Sequence, residues 1–151
     1  MSKNFKFSER LQQVHNESEK IISSHIQRLD RISNDIKALE EVLLRAGIPF
    51  EFSYHLKKEI CAFDQTKKHY SLEWDKKRFI YREYEGLGSF GSQRDEKIPL
   101  IETKSQVRIY IESELPIFYA KLIENLQENP LQTFVSVYSP NYKEEVIELP
   151  F

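Results

Sequence analysis

The residues best equipped for chemistry lie in the middle third of the chain. Gly86-Leu87-Gly88-Ser89-Phe90-Gly91 spells the G-x-G-x-x-G of a phosphate-cradling loop, and a strand-like pattern precedes it. In a dinucleotide site such a loop opens directly into a helix whose first amides hold the pyrophosphate. Here residues 92–99 show no helical apolar period and end in Pro99. A kinase would also need its strand lysine, catalytic loop and Asp-Phe-Gly, and the chain contains none of them. The run from Gly86 to Lys97 is therefore expected to be a surface loop.

The other reactive side chains are spaced against catalysis and against metal binding. Metal ligands on one helix face recur every three or four residues, and no two of His15, His25, His55 and His69 do so; His15 and Glu19 make the one such histidine–carboxylate pair in the first helix. Cys61 lies among Ile60, Ala62 and Phe63, the setting of a core thiol rather than of a nucleophile beside its base. Glu40-Glu41 and Glu144-Glu145 are direct neighbours, which helices and strands turn apart. No catalytic residue, metal or cofactor is expected, and the chain reads as non-enzymatic.

Lys67-Lys68 and Lys76-Lys77-Arg78 sit at turns of a region whose strands carry Tyr70, Trp74, Phe79, Tyr81 and Tyr84. Basic turns around an aromatic sheet are the ingredients of single-strand nucleic-acid binding, where bases stack on rings and lysines track phosphates. These five cations carry the alternative functional reading. Against it, alternation puts Tyr70, Leu72 and Trp74 on one face of a strand, the pattern of a core.

The elements that position these residues follow from periodicity. The first 46 residues hold neither glycine nor proline, and both arrive at Gly47-Ile48-Pro49, so one helix is permitted from about Ser8 to Ala46. At 1.5 Å per residue it would be roughly 57 Å long, against a radius of gyration of about 13 Å for a body made of the other hundred residues. The helix is expected to overhang its own domain. Its apolar positions fit a heptad with Ile22, Leu29, Ile36 and Leu43 at a and His25, Ile32, Leu39 and Ala46 at d, while upstream Leu11, Val14 and Ile21 drift to one side.

After Pro49 the period becomes alternating. Strands are expected over Phe50–Tyr54, Lys58–Phe63, His69–Asp75 and Arg78–Tyr84, joined by short connections into an antiparallel meander. A capping box at Thr103 and Gln106 opens a second helix that runs to Asn129-Pro130, with Pro116 forcing a kink or a division near Leu115. Phe134–Tyr138 and Val146–Leu149 read as two short tail strands about Ser139-Pro140-Asn141. The fold class is α+β: a long N-terminal helix over residues 1–47, and an α+β domain over residues 48–151 in which the kinked helix packs on the apolar face of the meander.

Composition bounds the function. The chain has 151 residues, 40% hydrophobic, with a net charge of −2, enough for one core and too balanced to coat nucleic acid or anionic membrane wholesale. Its lone cysteine and the lack of a long apolar run lead to the expectation of a cytoplasmic protein without membrane contact. An overhanging amphipathic helix needs a second surface over its stripe. The leading expectation is a protein that docks to a partner, most simply as a homodimer, through Ile22, His25, Arg28, Leu29, Ile32, Asp35, Ile36, Leu39 and Leu43. Antiparallel pairing centred on Leu29 and Ile32 would bring Arg28 opposite Asp35 of the partner twice.

Overall fold

A computed structural model describes residues 8–86, 93–128 and 131–148. The long helix is present as α1, Glu9–Ala46, 38 residues without a break. The hydroxyl of Ser8 accepts the Leu11 N–H at its start. Gly47 ends it in the left-handed region, at φ 64°, with its N–H on the Leu43 carbonyl. Glycine suits that position because it has no Cβ to strain.

The sheet has five strands in the order β4-β3-β2-β1-β5. Strands β1 (Glu51–Cys61), β2 (Lys67–Trp74), β3 (Phe79–Glu85) and β4 (Arg94–Pro99) form an antiparallel meander. The tight turn from β2 to β3 is shaped by Asp75, whose carboxylate accepts the N–H groups of Lys77 and Arg78 while Lys76 takes a positive φ. Helices α2 (Ser105–Ile111) and α3 (Leu115–Glu128) then cross one face, and β5 (Phe134–Ile147) returns beside β1 in the parallel sense. The sheet is thus α+β in class but mixed, not purely antiparallel as the sequence led us to expect.

Five further expectations are corrected. Phe50–Tyr54 and Lys58–Phe63 are not two strands but the two halves of β1, joined through a register shift between His55 and Lys57. The two tail strands are likewise one strand, β5, which steps from Tyr138 opposite His55 to Lys143 opposite Lys57 and so loops out the residues between. Part of the expected loop is β4, a short charged edge strand with no apolar alternation to betray it. Thr103 does not form a capping box: Lys104 is the cap of α2, and the Thr103 hydroxyl donates to the Leu100 carbonyl. Pro116 sits in the first turn of α3, where proline is tolerated, so the helical region is divided in two rather than kinked. Leu87–Gly91 of the glycine-rich motif, the helix end at Asn129-Pro130 and Leu149 of the tail lie outside the described residues.

The core lies between the sheet and the helices. Phe52, Tyr54, Leu72, Trp74, Phe79 and Tyr81 face inward, and Ile111, Leu115, Phe118 and Leu122 cover them from α2 and α3. Helix α1 adds Ile32, Ile36 and Leu43, and its Glu40 carboxylate accepts the Phe79 N–H at 2.7 Å. Only the second half of α1 shares in this core.

Candidate functional site

The face of α1 that buries Ile32, Ile36 and Leu43 continues toward the N-terminus. Steps of three or four residues carry it through Leu29 and His25 to Ile22, Ser18, Val14 and Leu11, one line along the helix. Beyond Leu29 the body no longer covers it. Leu11, Val14, Ile21, Ile22 and Ile26 are 48, 50, 69, 57 and 52% exposed, all on the free half. Scattered apolar residues on a surface need no explanation, but five large ones along one half-helix do.

This divides the residues expected at a partner interface. Ile22 and His25 are exposed, and Leu29 marks the margin. Ile32, Ile36 and Leu43 are buried, and Leu39 packs beside them, so these four are used within the chain and do not present a surface to a partner. A stripe has the same period whether its own sheet or another helix covers it, which is why the sequence did not separate the two. Arg28 is also engaged internally: its Nε and Nη2 donate to Glu112 Oε1 at 2.8 and 2.6 Å. Asp35 is exposed and lines a groove of about 370 Å³ between α1 and the α2–α3 junction, with Leu39, Leu115, Pro116 and Tyr119. Leu11, Val14, Ile21 and Ile26, outside the expected heptad interface, belong to the free surface.

The basic turns are not one patch. Lys67 and Lys68 begin β2, while Lys76, Lys77 and Arg78 follow its other end, about 24 Å away at 3.4 Å per residue. Lys68 is paired with Glu83 at 3.2 Å. Tyr70, Trp74, Phe79 and Tyr81 are buried toward the helices, so no ring of this group except Tyr84 is placed to stack on a base. The platform imagined for nucleic acid is core.

Two polar clusters escaped the sequence reading because their members are far apart in the chain. Glu114, only 6% exposed, sits in the break between α2 and α3 and accepts from Tyr54 Oη at 2.7 Å, Ser139 Oγ at 2.7 Å and Asn141 Nδ2 at 3.1 Å. It fastens the looped-out part of β5 to the helices. Burial, with the bond to Glu114 next in size, pushes the Tyr54 hydroxyl far above its ordinary pKa, so it remains a donor. On the opposite face of the sheet, Glu73 accepts from Arg82 at 3.2 Å and from Ser71 at 3.3 Å, and Arg82 grips Asp95 with two bonds of 2.9 Å. His55 and His69 border this cluster, and burial lowers the pKa of both. Both imidazoles are therefore mainly neutral at pH 7.

No group of three or more metal-ligating side chains occurs among the described residues, and no described helix is long and apolar enough to cross a membrane. No family model matches the chain, and no curated protein or solved structure is detectably similar to it.

Proposed function

We propose that this chain is a non-enzymatic, cytosolic interaction protein that forms a homodimer through the free half of α1. The observation that carries the reading is the uncovered stripe from Leu11 to Ile26, collinear with the part of the same face that the body already buries. A second copy brings the same apolar stripe, so each copy covers the other.

The position of the body also favours one orientation. It covers the stripe face from Ile32 onward, with Leu29 at the margin. Packed helices approach to about 8–10 Å, and in a parallel pair both bodies would compete for the space between the helices. An antiparallel pair overlaps only the free halves and leaves the bodies at opposite ends. The pairing is therefore centred within the free half, near Ser18, and not on Leu29 and Ile32, because Ile32 is in the core. The lone half-buried thiol of Cys61 suits a reducing compartment.

Ile22→Asp tests the reading. Ile22 is 57% exposed and contributes nothing to the core, so the melting temperature of the body should stay unchanged. Sedimentation equilibrium should show association weakened by about tenfold or more, because the interface would bury an unpaired carboxylate. An unaltered association constant removes the free half of α1 from the interface.

A further inference from the structure

The sheet face turned away from the helices carries a built depression. Its floor is Ser53 and Ser71, small residues that are buried there although they face away from the helices. Three rings border it: His69 and Tyr84, centroids 6.0 Å apart, and His55, which Tyr138 backs at 4.7 Å without lining the space. The space between has a volume of about 330 Å³, at the small end for ligand sites and matched to a single ring system.

The polar groups on the floor are held in place but not saturated. Glu73, whose side chain is 15% exposed, receives all its hydrogen bonds on Oε2: from Arg82 at 3.2 Å, Ser71 at 3.3 Å and Ser53 at 3.5 Å. All three are long for hydrogen bonds to an anion. Among the described residues Oε1 accepts none. Arg82, the one arginine or lysine that lines the depression, is already shared between Glu73 and Asp95, so a negatively charged ring would find no free counter-charge there.

We propose that this depression binds one nitrogen heterocycle of nucleobase size whose ring carries no negative charge, held against His55, His69 and Tyr84 with an N–H donated to Glu73 Oε1. Aromatic walls take any ring by stacking, and the carboxylate selects rings that carry an N–H. The site is separate from the free half of α1 and does not depend on dimerisation.

The test is a titration of the full chain with adenosine, cytidine and guanosine, followed through the imidazole resonances of His55 and His69. At least one nucleoside should shift both rings saturably, and its 5′-monophosphate should bind within about threefold, since no phosphate site is involved. Glu73→Gln should weaken the best nucleoside by about tenfold or more. Tyr84→Leu, which removes the ring but no hydrogen bond of Glu73, should weaken it by about fivefold or more. Three results overturn the proposal: no saturation by any nucleoside, unchanged affinity in both variants, or oligonucleotides bound at least about tenfold more tightly with steep salt dependence, which would assign the face to single-stranded nucleic acid.

Discussion

Phe118→Ala is expected to cost about 3 to 5 kcal/mol and to lower the melting temperature by about 10 °C or more. The Phe118 ring is fully buried and meets Phe52, Tyr54 and Phe79 at centroid distances of 5.6, 5.6 and 5.1 Å, so it joins α3 to two strands at once. These neighbours belong to a closely packed interior that relaxes only partly around the missing ring, which adds a cavity term to the lost transfer energy. Domains of this size hold about 5 to 15 kcal/mol in total, so the loss is a large fraction of the whole. Circular dichroism against temperature reads it directly. A change below about 1 kcal/mol would mean that α3 does not pack on the sheet as described.

Glu114→Ala is expected to cost about 2 to 4 kcal/mol, because it leaves the buried donors of Tyr54 and Ser139 without an acceptor. The effect should be local as well as global. Glu114 is the anchor of the looped-out residues of β5, so hydrogen exchange should accelerate from Ser139 to Tyr142 more than in Phe134–Tyr138 or Lys143–Ile147, which stay paired with β1. Glu114→Gln keeps a carbonyl oxygen for Tyr54 and should cost only about 1 kcal/mol. Unchanged exchange from Ser139 to Tyr142 in Glu114→Ala would show that the anchor is elsewhere.

What was legible in the sequence was local. The bounds of α1 follow from Ser8, Gly47 and the absence of any glycine or proline between them, and the inward faces of β1 and β2 follow from the alternation of Phe52 with Tyr54 and of Leu72 with Trp74. Pro116 marks an interruption of the helical region Ser105–Glu128, but not whether it is a kink or, as found, a division into two helices. The direction of β5 was not legible because it depends on the route of α2 and α3 across the sheet, not on the residues of Phe134–Ile147. Strand β4 was hidden by its charges, which suit an edge and resemble a loop. The candidate surface was legible as a stripe but not in extent: nothing in the period distinguishes Ile36, which the body covers, from Ile22, which it does not. The depression beneath His55 and His69 draws its floor from residues of β1 and β2 and its carboxylate network from β2, β3 and β4, and only the register of the sheet brings these together.

The central claim, that a second copy of the chain covers the free half of α1, is tested most directly by the solution mass measured against concentration. Light scattering across a dilution series should show a mass rising from 18.0 kDa toward twice that value, with no larger species, since an antiparallel pair leaves no further stripe uncovered. A constant 18.0 kDa at every concentration would contradict the account.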